Sequence, residues 1–169
     1  MTVPSAIKEQ AARDAQALLA TVWSGRGRSV PVDPIRIAQE LGIQVLEAPL
    51  APDVSAALIK RPGEDPQIVV NRDDSRNRQR FSCAHELGHF YLRRDDQEQY
   101  DYVDFRDSFS ASGLGDAEVY ANEFAACLLM PADEMRALHG QGCDEVQMAV
   151  HFNVSRDALH FRAKNLSLA

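Results

Sequence analysis

No stretch of this chain of 169 residues is apolar over the length that a membrane-spanning helix requires, which leaves a bilayer anchor out of the expected architecture. Cysteine is scarce: Cys83, Cys127 and Cys143 are odd in number and widely spaced, so a disulfide framework is excluded and reduced core residues are expected. Basic charge is in deficit. With 18 Lys and Arg against 25 Asp and Glu the net charge is −7, and an extended non-specific grip on DNA needs the opposite balance. The stretch from Ser5 to Val22 is mixed in charge and lacks the long apolar centre of a secretory signal, so a cytoplasmic protein is expected. What remains, 45% hydrophobic and 25% charged, suits one soluble domain with a sizeable core.

Against this plain background one run carries chemistry, His85-Glu86-Leu87-Gly88-His89. From Ser75 to Leu92 only Gly88 weakens a helix, so the run sits in mid-helix. Two imidazoles one turn apart share a helical face and can reach one ion, while Glu86 projects about 100° away from His85. A divalent ion, zinc by default, lowers the pKa of water, and a neighbouring carboxylate can accept the proton as that water attacks a peptide carbonyl. The bland alternative is a pair of core histidines. It leaves two imidazoles and a carboxylate on a central helix in need of partners.

A catalytic zinc site normally takes three protein ligands, so a further donor is expected on another element. The segment DAEVYANEFAACLLM, Asp116 to Met130, has the helical period and places Glu118, Ala121, Asn122, Ala125, Leu128 and Leu129 on one face. Glu118 heads that apolar stripe as the candidate ligand; the competing reading is a solvated glutamate that favours the helix dipole. Asn122, one turn on, can hydrogen-bond the second ring nitrogen of a ligand histidine. Glu123 lies about 140° around the helix from Glu118 and should face away.

FSCAHELGHFYL followed by EVYANEFAACLLMP resembles the ImmA/IrrE family of metallopeptidases, found in bacteria, mobile elements and phages. The similarity covers roughly residues 5 to 165 and is strongest in these two blocks. It implies His85, His89 and Glu118 as ligands of Zn2+, with Mn2+ as the other candidate metal, and Glu86 as general base. It also implies a protein substrate, a helix-turn-helix repressor of the XRE type, whose cleavage derepresses stress-response or mobile-element genes. Neither direct DNA binding nor a membrane partner is expected.

The rest of the chain predicts an α+β fold, mainly helical, with a small antiparallel three-stranded sheet packed on the His-Glu-x-x-His helix. A helix over 5–22 leads through the flexible stretch 24–29 to a second helix that Asp33 caps, with Pro34 at its first position and Gly42 after its end. Strands are expected at Ile43 to Glu47, Ser55 to Lys60 and Gln67 to Asn71. Arg72, Arg76, Arg78 and Arg80 then read as the solvated start of the catalytic helix. Residues 1–131 form the peptidase core. Residues 132–169 form a helical tail packed on the same domain, with helices near 132–138, 145–151 and 155–164.

Two features leave room for other readings. The acid-rich segment between Leu92 and Asp116 is long for a loop and borders the expected cleft, either as a lid with Gly113 and Gly115 as hinges or as a plain tether. Tyr100 and Tyr102 on it, and His139, His151 and His160 in the tail, are candidate donors to the oxyanion of a tetrahedral intermediate. The tail sequence VQMAVHFNVSRDALHFRAKNL has a helix-turn-helix pattern in which Ser155 to Arg162 would enter a major groove. The alternative from another class is therefore a non-catalytic metal-containing module that sequesters a repressor or binds DNA. An exposed sheet edge beside the cleft is a candidate platform for an extended peptide.

Overall fold

The computed structural model describes residues 3–23, 30–94, 102–107 and 115–169. The elements run α1 (Val3–Leu18), a π-helical turn (Leu19–Trp23), α2 (Pro34–Glu40), β1 (Gln44–Ala48), β2 (Val54–Lys60), β3 (Gln67–Asn71), α3 (Arg76–Leu92), β4 (Tyr102–Asp107), α4 (Asp116–Leu129), α5 (Ala132–Gly140), α6 (Glu145–Phe152) and α7 (Arg156–Asn165). The flexible stretch expected at 24–29 lies outside the described residues. Local chemistry sets most boundaries. Asp33 Oδ1 accepts from the amides of Ile35 and Arg36 at the start of α2, Ser75 Oγ accepts from Arg78 N at the start of α3, and Asp144 and Gln147 form a reciprocal capping box on α6. Gly42, just past α2, has φ +77°, a backbone state that side-chain-bearing residues avoid.

The α+β class expected from the sequence stands, but its sheet differs in two ways. It has four strands in the order β1-β3-β2-β4, and it is mixed. The chain reverses direction from β1 to β2 and again from β2 to β3, yet β3 returns between β1 and β2, so β1 runs parallel to β3 (Val45 opposite Ile68) while β2 is antiparallel to it (Leu58 opposite Ile68). The fourth strand comes from the segment read as a loop: Tyr102–Asp107 pairs antiparallel with the outer edge of β2, Phe105 opposite Ala57. Tyr, Val and Phe within those six residues favour a strand, and β2 offered an open row of amides and carbonyls. Gly113 and the flanks of β4 lie outside the described residues.

The helix α3 runs across this sheet and under α4, and every residue from Ser82 to His89 is buried. Its start is tied to the end of β3: Gln79 Nε2 donates to Asn71 O at 2.8 Å, and Asn71 Nδ2 donates to Val54 O at 2.9 Å. Arg80 departs from the solvated helix start expected of the arginine cluster. It is half-buried, and its guanidinium donates to the carbonyls of Val32, Phe152 and Asn153, joining the loop before α2 to the end of α6. The helix α1 packs along α4 through Ala11, Ala15 and Leu18, and Tyr120 Oη donates to Asp14 Oδ2 at 2.7 Å. Among the described residues no helix is long and apolar enough to cross a membrane.

Candidate metal centre

The geometry of the centre is set by how closely α3 and α4 approach. An added Cβ at Gly88 would stand 2.9 Å from Ala121 Cα and 3.3 Å from Ala121 Cβ. Only hydrogen fits there. Gly88 lies next to His89, and Ala121 lies three residues after Glu118 and one before Asn122, so this contact brings the polar groups of both helices together. From the sequence alone Gly88 is a weak point of the helix. A glycine held in mid-helix at a cost of about 1 kcal/mol is itself a sign of close packing.

At the contact three side chains converge. His85 Nε2 stands 3.0 Å from His89 Nε2 and 3.3 Å from Glu118 Oε2, and His89 Nε2 stands 2.9 Å from Glu118 Oε1. The donor atoms of the three residues all lie within 4.8 Å of one another. In a tetrahedral zinc site, metal–ligand lengths of about 2.0–2.1 Å put neighbouring donors roughly 3.3 Å apart, so this triangle needs little expansion to accept an ion. His85, His89 and Glu118 can therefore hold a metal. The two histidines are buried, whereas the Glu118 side chain keeps 33% of its surface exposed and opens the centre to solvent on that side.

His85 Nδ1 lies 3.1 Å from Asn122 Oδ1, an acceptor that would hold the Nδ1 proton when Nε2 presents its lone pair to a bound ion. His89 Nδ1 is buried and has no hydrogen-bond partner among the described residues. Hydrogen bonds from His85 and then His89 hold the Glu118 carboxyl well below the usual carboxylate range, against the opposing effect of burial. It is an anion at neutral pH. Glu86 is fully buried on the turn that carries His85.

Other candidates lie elsewhere. Glu123 turns away from the centre, pairing with Arg162 Nη1 at 3.1 Å and accepting from Cys127 Sγ at 3.4 Å. His151 pairs with Glu134 and His160 with Glu145 on the C-terminal helices, while His139 falls in the last turn of α5. None of them joins the His85, His89 and Glu118 group. Tyr102 opens β4 opposite Lys60, and Tyr100 lies outside the described residues.

Comparisons with known proteins place this geometry. No relative among curated proteins matches the chain. Among solved structures, a Mycobacterium tuberculosis transcriptional regulator is similar with a TM-score of 0.57 and 18% identity over 94% of this chain. At that identity the likeness is one of fold, and the chain covers only 46% of the regulator's length. The peptidase family described as the IrrE N-terminal-like domain matches residues 38–164. That span takes in β1, the whole of α3 with its two histidines, Glu118 and the C-terminal helices. The chain thus belongs to the IrrE N-terminal-like peptidase family, and the centre between α3 and α4 lies inside the matched region.

Proposed function

We propose that this protein is a metal-dependent endopeptidase in which His85, His89 and Glu118 hold Zn2+ or Mn2+ and Glu86 is the general base. The observation that carries this reading is the triangle of donors at 2.9–3.3 Å, with a buried carboxylate on the same turn of α3. When bound, the ion supplies Lewis-acid polarisation and brings the pKa of water towards neutrality. Glu86 accepts a proton from the attacking water and returns it to the leaving amine. Asn122 positions the His85 ring. The half-open flank at Glu118 gives an extended chain access, and β4, an edge strand packed against α3, offers it a row of backbone partners.

The substrate we infer is a helix-turn-helix repressor of the XRE type, cleaved to release stress-response or mobile-element genes. This reading rests on family membership and on the fold shared with a transcriptional regulator. Three convergent protein donors among the described residues favour a catalytic ion over a purely structural one, which normally takes four. The test is cleavage of the repressor encoded nearest this gene by wild type and by Glu86→Gln, with metal content measured in both. We expect wild type to cut at one site and Glu86→Gln to lose about 10²–10⁴-fold in rate while keeping its metal. Tight binding of the repressor without cleavage by metal-loaded wild type would instead make the protein a sequestering module.

A further inference from the structure

Two cavities adjoin where the turn between α6 and α7 meets the start of α3. One, of about 390 Å³, lies between Arg78 and Phe81 of α3 and the pair Val154 and Ala158 at the start of α7. The other, of about 340 Å³, is walled by Val146, Ala149 and Val150 of α6. Asn77, Val154 and Ser155 line both, so the two form one groove. Its outer wall is apolar yet faces water: Val146 is 53% and Val150 76% exposed, one turn apart on α6. The floor is held in shape by Arg80, whose guanidinium donates to the carbonyls of Phe152 and Asn153 just before the turn. A fixed, exposed apolar groove of this kind marks a surface that binds a partner.

The position of the groove says which partner. Arg78 and Phe81 lie two turns and one turn before His85, and Arg78 shares the helical face of His85 and His89. Along the axis of α3 they precede His85 by about 10 and 6 Å, a distance that an extended chain covers in about two to three residues. Arg78 Nε also donates to Ser55 Oγ at 2.7 Å, and the neighbouring Val54 pairs with Asp107, the last residue of β4. A chain laid along the edge of β4 therefore leaves that strand beside Arg78, at the mouth of the groove. We propose that the groove is a docking subsite for the protein substrate, taking an apolar segment that begins within about four residues of the cleaved bond. This rests on the peptidase reading above and adds where its selectivity comes from. Nucleic acid does not suit the groove, because Arg78 is paired with Asp74 at 3.2 Å and Asp157 offsets Arg156.

The experiment uses the full, metal-loaded chain and the repressor encoded nearest its gene. Val146→Asp with Val150→Asp sets two carboxylates in the exposed wall without touching the core, and Ala158→Phe fills the cavity beside Phe81. Each variant should raise KM for the repressor about tenfold or more while kcat and metal content stay at wild-type values. In the Glu86→Gln background, calorimetry should show the same loss as weaker binding of the uncut repressor. Unchanged KM and affinity in both variants, with wild type cleaving, would overturn the proposal and leave the peptidase reading standing. Binding that the variants lose, with no cleavage by metal-loaded wild type, would remove the peptidase reading and keep the docking surface. No binding by wild type would overturn both. Self-association of wild type in sedimentation that the valine variant abolishes, with repressor binding intact, would give the groove to a second copy of the chain and overturn the proposal.

Discussion

At the scale of single residues the centre depends on which ring nitrogen faces inward. Asn122 Oδ1 lies within hydrogen-bond reach of His85 Nδ1 and would fix the proton there when Nε2 turns its lone pair to an ion. Asn122→Ala removes that acceptor and lets the ring turn. We expect metal affinity to fall about 10–100-fold, measured by competition with a chromophoric chelator, with little change in thermal stability of the metal-free chain. The thiols give a second test at this scale. Burial raises both Cys83 and Cys127, the latter to about 12, whereas Cys143 is half-buried. In the native protein at neutral pH a thiol reagent should therefore label Cys143 first, and the other two only on unfolding. The linkage has a definite sign: the folded state keeps Cys127 protonated where the unfolded chain would ionise it. Its contribution is complete below the ordinary thiol pKa and is lost as pH climbs from there towards about 12. Urea midpoints that stay level or rise across that alkaline window would contradict this.

At the scale of elements the decisive contact is α3 against α4 at Gly88 and Ala121. Alanine at Gly88 would add helix propensity, yet its Cβ would meet a backbone atom at 2.9 Å, and backbone cannot rotate away. Gly88→Ala should cost about 1–3 kcal/mol and reduce metal content, because the helices must separate and Glu118 moves with α4. Gly140 at the end of α5 faces open space without a positive φ, so Gly140→Ala should be neutral or slightly stabilising in the same urea titration. This contact also marks what the sequence could tell. Periodicity put His85, His89, Glu118 and Asn122 on inward faces, since that is a local property of each helix. It could not tell that Gly88 sets the distance between those faces, nor that β3 inserts between β1 and β2, because strand neighbours are chosen by partners far along the chain. The strand β4 was hidden for a related reason. Its six residues sit in an acidic, polar segment, and only the open edge of β2 makes them a strand.

At the scale of the whole molecule, the C-terminal helices are fastened to the rest through buried polar ties as well as apolar contact. One hydrophobic cluster runs from Ala11 in α1 to Ala163 in α7, and Phe152 and Leu159 are fully buried in it. Arg80 reaches from α3 to the carbonyls of Phe152 and Asn153, and Arg162 reaches from α7 to Glu123 in α4 and to Met130 O. The Glu123–Arg162 pair tests how strongly the parts depend on each other. Its side chains are 11% and 6% exposed, so removing one partner strands a charge with little access to water. Arg162→Met should lower stability by about 3–5 kcal/mol, whereas adding Glu123→Gln should recover part of that loss, because the stranded carboxylate is then gone. Urea unfolding of the two single variants and the double variant gives the coupling directly. If the double variant is no more stable than Arg162→Met, the arginine acts through packing and Met130 O alone. A recovery would show that α7 and the helix presenting Glu118 share one buried electrostatic tie.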